Sequence, residues 1–530
     1  MRILKDGLHV VKIDEKPFKL DKLEEKKMRT KKAAINSLVG IITYLISFLP
    51  AMIVRKIFLV QLGEELLGLS SLYKNIISYL SIVEMGIGSA IIFSLYKPFA
   101  EGNKIKVKGY IDYYAKFYKI VAVIISLLGI GLLPFLHIFI KDNIDMTKAI
   151  IYFVLFLIDT VISYLFSYKL CILNVAQEGY IISIGTAVSK VLIAIFQVIM
   201  LKLYSSFFLY ISIQIVVNLI YFIVLNVHID KKYSWLKDTK GKIDKDEKNN
   251  LIKNVKALFM HKIGYVVVFG TDNLIISSFI NLSSVARYNS YNMIIAAIQG
   301  VINTATAAIT PSIGNLLVDG DKEKSLSIHK KLFFMNFWIV SFITISLSNT
   351  ISQFISVWLG KGQLLDVLTV NIILINLYFQ LMRSSVEQFK EGSGNYYQDR
   401  YAAFIEAFVN LVFSIILVKK IGIAGVFIGT VISNISVVFW VKPLITYKYV
   451  FNKPLRNYFY MYFKYLLIAV IPLVITQFLT RDIKQSASLS DFILNCIINI
   501  LVINVVYLII FWRNKEFIYF KNLIMAKFKR

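Results

Sequence analysis

Apolar positions in this chain come in long runs, each about 20 residues, separated by short polar stretches, and they show no alternation of apolar and polar residues. A helix rises 1.5 Å per residue, so such a run spans the ~30 Å hydrocarbon core of a bilayer. The pattern predicts fourteen transmembrane helices, over residues 33–54, 67–96, 115–140, 148–175, 180–201, 205–227, 255–280, 284–316, 332–358, 364–390, 399–418, 422–446, 460–480 and 489–512. Pro50, Pro134, Pro311 and Pro472 fall inside or at the ends of these runs, where membrane helices tolerate proline. A membrane β-barrel would instead show alternating segments of ~10 residues. The expected class is an all-α polytopic membrane protein.

Composition agrees. The chain is 57% hydrophobic and 17% charged with mean hydropathy +0.67, a balance that a soluble fold of 530 residues cannot bury and that excludes disorder and coiled coil. The net charge of +27, from 59 Lys and Arg against 32 Asp and Glu, would suggest nucleic acid in a soluble domain. Here the cations sit in alternate loops, eight of them in residues 228–254. The positive-inside rule then places both termini in the cytoplasm, and anionic lipid head groups become the expected partner of the charge, with no nucleic acid. Residues 1–32 read as a polar cytoplasmic tail with no cleavable signal peptide. Cys171 and Cys496 lie far apart near apolar runs and spell neither a disulfide framework nor a metal knuckle.

The chain also repeats itself. Leu72-Tyr73-Lys74-Asn75-Ile76 meets Ser290-Tyr291-Asn292-Met293-Ile294 at an offset of 218, and 179–195 meets 400–416 near 220. The offset spans six helices, an even number, so the two halves share one orientation, and a site between them is the expectation for such parallel repeats. The predicted organisation is a tail (1–32), an N-terminal six-helix half (33–227), a basic cytoplasmic linker (228–254), a C-terminal six-helix half (255–446), and two extra helices with a tail (447–530).

Polar groups in the spans fall on stripes at helical spacing. Ionisable groups there cost about 2.5–3.5 kcal/mol each on insertion scales and face protein or water. The tenth span aligns Gln380, Arg383 and Glu387, and the second carries Lys74 with Glu84 at its edge. The repeat turns Lys74 into Asn292, near Gln299 and Asn303, and turns Lys190 into Asn410. Lys190 and Arg383 lie deep and read as cavity lining. Lys74, Arg287 and Lys262 lie within about three turns of a span end, where snorkelling competes with that reading. Glu84, Asp272 and Glu387 are candidate proton or sodium sites, or else structural partners of the cations. Five cations graded along the membrane normal suit an anionic head group in transit and suit a cationic drug poorly. No Walker A motif, histidine ligand pair or G-x-S-x-G elbow occurs, so neither an intrinsic ATPase nor another enzyme is expected, and no cofactor or metal.

Three stretches carry a family resemblance: SIVEMGIGSAIIFSLYKPFAEGN (81–103), GTDNLIISSFINLSSVARYNSYNMI (270–294) and RYAAFIEAFVNLVFSIILVKKIGIAGVFIGTVISN (400–434). With them the chain resembles the oligosaccharide flippases of the polysaccharide transport family, within the multidrug/oligosaccharidyl-lipid/polysaccharide exporter superfamily. The resemblance implies a V-shaped bundle of two six-helix halves plus two helices in the bacterial cytoplasmic membrane. It implies movement of undecaprenyl-diphosphate-linked oligosaccharide across that membrane by alternating access, for capsule, exopolysaccharide or O-antigen assembly. Glycosyltransferases and a polysaccharide polymerase would be functional partners. A cationic cavity holding Lys74, Lys190, Arg287 and Arg383 fits that role. A cation-coupled multidrug antiporter and a lipid II flippase are the alternatives.

Overall fold

A computed structural model describes residues 22–84, 87–318, 320–395 and 398–528, with the backbone alone for 22–35, 37–38, 41, 83, 253–254, 256–270, 307–308, 311 and 527–528. The described residues contain no strand. Lys22–Leu80 is helical except at Gly63, whose φ of 82° and ψ of 175° break it into α1 (22–62) and the first arm of α2 (64–80). A backbone at that φ favours glycine, which explains the turn at a position flanked by good helix formers. The second arm of α2 is Ile87–Ala100. Then follow α3 (Lys104–Phe139), α4 (Met146–Val175), α5 (Gly179–Tyr204) and α6 (Phe207–Lys232). The second half comprises α7 (Lys245–Phe279), α8 (Leu282–Val318), α9 (Lys322–Leu359), α10 (Val367–Gly392), α11 (Ala402–Ile421) and α12 (Ile423–Phe451). α13 (Arg456–Leu479), α14 (Leu489–Phe511) and α15 (Lys515–Phe528) complete the order.

The order of the rods follows the hydrophobic runs; among the described residues eleven helices are long and apolar enough to cross a membrane, against fourteen expected, and the differences in their bounds have local causes. The second span, expected unbroken over 67–96, changes to a tight 3-10 turn at Ser81–Glu84 ahead of Met85-Gly86. α1 continues past the expected end at 54, because Ile57–Leu62 resumes the apolar pattern after Arg55-Lys56. α9 begins ten residues early, where the Asp321 side chain accepts from Lys324 N and caps the helix. Residues 515–528, expected as tail, form α15, started by Asn514 Oδ1 accepting from Glu516 N and Phe517 N.

Most buried apolar side chains fall into two large cores, with a small third cluster at Ala402, Val437 and Val438. One runs from Val54 to Leu251 with Leu282 and Ala286 of α8; the other runs from Ile275 to Phe511. The second takes in α13 and α14, which lie outside the repeat. Aromatic rings join them to α9, with Phe337 stacked on Tyr465 at 4.7 Å and Phe334 edge-on to Phe511 at 5.0 Å. A buried amide network adds to this: Asn349 donates to Thr476 and Asn499, and Asn495 donates to Gln353. In a bilayer, where helices gain little from hydrophobic association, such contacts hold rods together. The outer faces stay apolar: Phe478 is 78% and Ile509 74% exposed, as lipid-facing positions require.

The linker between α6 and α7 does not hang free. Lys242 N donates to Ile105 O on α3, and Lys106 reaches Glu247 at 2.7 Å and holds that carboxyl below its usual range. On the opposite face, α1 and α2 join α8 and α9. Trp358 Nε1 donates to Met52 O, Asp142 caps Leu282 N, and Gly68 packs on the Leu282 carbonyl. A Cβ on Gly68 would lie 1.9 Å from Leu282 O, and the neighbour is backbone. Gly68→Ala is therefore expected to lower the thermal stability of the purified protein, by about 1–3 kcal/mol as overpacking does. Gly131→Ala, with nothing within 4 Å, serves as the control and stays at the parent value.

Candidate functional site: a cationic cavity in the N-terminal half

The first arm of α2 presents Lys74, α5 presents Lys190, and α1 presents Arg55 to one cavity of about 420 Å³. Gln197 of α5 and Gln214 and Asn218 of α6 line it as well, and Met293 of α8 touches it from the other half. Arg55 is committed in part: Nε donates to Ser290 Oγ at 2.9 Å and Nη2 to Ala286 O at 2.7 Å, clamping α1 to α8. Behind the far wall, Asp159 of α4 accepts from Gln214 at 2.7 Å and Asn218 at 2.9 Å. That consumes amide hydrogens and fixes both side chains. The described lining residues include three cations and no carboxylate.

Lys74 and Lys190 are different. Both side chains are accessible within a cavity lined by α1, α2, α5, α6 and Met293 of α8. Among the described residues neither ammonium has a hydrogen-bond or ion-pair partner. Two unpaired cations within a membrane protein are costly, and an anion of matching size offsets the cost.

The other expected residues are placed elsewhere. Arg287 makes a two-pronged contact with Glu64 at 3.0 and 3.2 Å, and Gln363 donates to the same carboxylate. It is thus part of the joint beside the Gly63 break and does not line the cavity. Arg383 is buried, donating to Glu387 at 2.8 Å and to Asn434 at 2.7 Å; Lys442 also pairs with Glu387. Asn434 sits in a π-helical turn of α12, the kind of local bulge that re-aims a side chain. With Glu406 close to Arg383, two cations meet two carboxylates. That cluster is internally neutralised, so Arg383 and Glu387 are locked by each other and do not form a lining to the cavity of Lys74 and Lys190. Glu84 accepts from Tyr118 at 2.7 Å, in a chain continued by Tyr114. Asp272 is half-buried, with Oδ1 lacking a hydrogen-bond partner among the described residues. Gln299 donates to Gln380, tying α8 to α10, and Asn410 donates to Thr430. Asn303 is exposed and Asn292 half-buried, one residue from the Met293 that does reach the cavity. The Lys262 side chain lies outside the described residues.

The repeat explains the asymmetry. At offsets of 218 to 220 the three cavity cations Arg55, Lys74 and Lys190 become Asn273, Asn292 and Asn410. Asn273 exchanges amide bonds with Asn289, and Asn410 is fully buried against Thr430. One half of a duplicated bundle keeps charge at these positions, and the other carries uncharged amides there.

Residues 30–317 match the family model described as polysaccharide biosynthesis protein. That stretch is more than half of the chain and includes every residue lining the cationic cavity. The chain belongs to the polysaccharide biosynthesis protein family. A search among curated proteins returns no match. Among solved structures, this family member is similar to lipid II flippase MurJ in an inward closed conformation, with a TM-score of 0.65 and 15% identity over 90% of this chain and 99% of that one. It is also similar to an inward-facing multidrug resistance MATE transporter of the MOP superfamily, with a TM-score of 0.62 and 14% identity over 76% and 95%. The bent form of the Vibrio cholerae MATE transporter VcmN gives a TM-score of 0.52 at 17% identity. At such identities the likeness is one of fold: this member of the polysaccharide biosynthesis protein family has the exporter architecture.

Reading the sequence missed Arg55, Gln197, Gln214 and Asn218 as site residues. Arg55-Lys56 looks like the basic flank of a span that ends at 54. The signal that corrects it is Ile57–Leu62, six more residues of the same rod before Gly63.

Proposed function

We propose that this protein carries a lipid-linked oligosaccharide joined through a diphosphate, of the undecaprenyl type, across the cytoplasmic membrane. The observation that carries the reading is the pair of ammonium groups, Lys74 and Lys190, that face one cavity in the N-terminal half with no partner among the described residues. Membership of a polysaccharide biosynthesis family and the exporter architecture support the same class. The diphosphate binds Lys74 and Lys190, with Arg55 at the edge. The first sugars meet Gln197, Gln214 and Asn218, and the polyprenyl tail stays in lipid. Each charge-assisted contact contributes about 1.5–3 kcal/mol, enough to select a diphosphate and still allow release.

Alternating access then requires the joint at Glu64, Arg287 and Gln363 to part, because it ties α2, α8 and the α9–α10 loop together on the face opposite the linker. That face is the outer one when the basic segments lie in the cytoplasm. Drive comes from an ion gradient or from consumption of the product by a polymerase, with Glu84 and Asp272 the remaining candidate carboxylates. A cationic drug is disfavoured by the charge of the cavity. The test is a deletion strain analysed by lipid extraction. The reading expects accumulation of a polysaccharide repeat unit on its lipid carrier with peptidoglycan precursors unchanged. Accumulation of lipid II, or no accumulation at all, would contradict it.

A further inference from the structure

Where α9, α13 and α15 meet, on the face that carries the linker, a second cavity of about 590 Å³ opens. Lys330 of α9 and Arg456 and Lys464 of α13 face it, opposed by the single carboxylate of Glu516 on α15. None of the three cations has an ion-pair partner among the described residues, and all three are exposed. The cavity shares no lining residue with the Lys74 and Lys190 site. α15 is fixed in place as its wall: Lys331 lies 3.9 Å over the Tyr519 ring, and Trp338 stacks on Phe517.

Beside it lies an apolar hollow of about 650 Å³ lined by Phe459, Phe463, Leu467 and Ile468. The two hollows share Arg456, Tyr460 and Lys464 along their common rim. Leu467 is 70% and Tyr460 75% exposed on this outer face of α13. A cationic chamber continuous with an apolar slot, with tyrosine at the boundary, matches the division between head group and acyl chain at a membrane surface. A free phosphate would use the chamber and leave the slot empty.

We propose that α9, α13 and α15 form a binding site for an anionic phospholipid of the linker-side leaflet, its phosphate on Lys330, Arg456 and Lys464 and an acyl chain along Phe463 and Leu467. Bound there, the lipid ties the C-terminal helix to the bundle and offsets the excess charge of the chamber. This inference does not depend on what the N-terminal cavity carries.

The test uses the full chain purified in maltoside micelles, with phosphatidylglycerol as probe, phosphatidylcholine as neutral comparison and inorganic phosphate as competitor, and occupancy read by native mass spectrometry. The parent should retain phosphatidylglycerol over phosphatidylcholine, with millimolar phosphate unable to displace it. The triple variant Lys330→Gln, Arg456→Gln, Lys464→Gln should bind phosphatidylglycerol roughly tenfold more weakly or worse, while Lys330→Arg with Lys464→Arg keeps parent affinity. Should the triple variant fold poorly, Lys464→Gln alone is expected to weaken binding about two- to fivefold. Unchanged affinity in the neutralised variants overturns the proposal, and so does full displacement by inorganic phosphate.

Discussion

Cells carrying Lys74→Gln together with Lys190→Gln are expected to lose surface polysaccharide almost completely, with the protein present at normal level. Each lysine contributes a charge-assisted phosphate contact of about 1.5–3 kcal/mol, a factor of roughly 10 to 150 in binding. The stability readout separates this from structural damage. Neither ammonium has a partner among the described residues, so replacing both removes two unsatisfied like charges from the same cavity. The melting temperature should hold or rise while transport fails. Full polysaccharide in the double variant, at normal abundance, would remove the cavity from the mechanism. Single variants should show intermediate losses, because Arg55 remains to hold part of the diphosphate charge.

The opposite behaviour is expected at Glu387. Its carboxylate holds both Arg383 and Lys442, and the residue lies in the interior of the C-terminal half. Glu387→Gln keeps an accepting oxygen but removes the negative charge between two cations, a loss of about 3–5 kcal/mol as for other broken buried pairs. Thermal unfolding of the purified variant should occur well below the parent temperature, and its level in membranes should fall. Replacing all four charged groups, Arg383, Glu387, Glu406 and Lys442, by methionine should recover most of the stability, since the penalty comes from uncompensated charge and not from missing volume. A Glu387→Gln protein as stable as its parent would mean that the cluster is wetter and more loosely coupled than the packing indicates. Loss of transport at unchanged stability would move Glu387 back among the ion-coupling carboxylates.

The rods were legible in the sequence because a bilayer demands uninterrupted apolar length, and the runs at 148–175 and 489–512 match α4 and α14 within a few residues. Interruptions were harder to read. Gly63 and Ser81–Glu84 break the backbone inside or beside apolar stretches, and a hydropathy pattern carries no record of φ. α15 was hidden for another reason. Its polar and apolar residues alternate around one helix that lies against α9, so no spanning run announces it.

For the site, the sequence puts Lys190 deep in its span and Lys74 on a polar stripe where snorkelling competes with cavity lining, and the structure sets both on the wall of one cavity. It could not tell an open cation from a paired one. Arg383 and Arg287 lie in stripes as polar as those of the two lysines, and their partners Asn434 and Glu64 come from segments 51 and 223 positions away. Partnership across that distance is a property of packing. The repeat held the missing hint: it converts each cavity cation to asparagine in the second half, marking one half as the charged one.

The most direct test of the central claim is photocrosslinking with a lipid diphosphate that carries its reactive group next to the phosphates, followed by peptide mapping of the full chain in membranes. The account predicts adducts within residues 47–74 of α1 and α2 and residues 190–197 of α5, competed by excess undecaprenyl diphosphate and absent from the Lys74→Gln, Lys190→Gln variant. Adducts confined to α10 and α12 around Arg383 and Lys442, or to the lipid-facing surface alone, would contradict it.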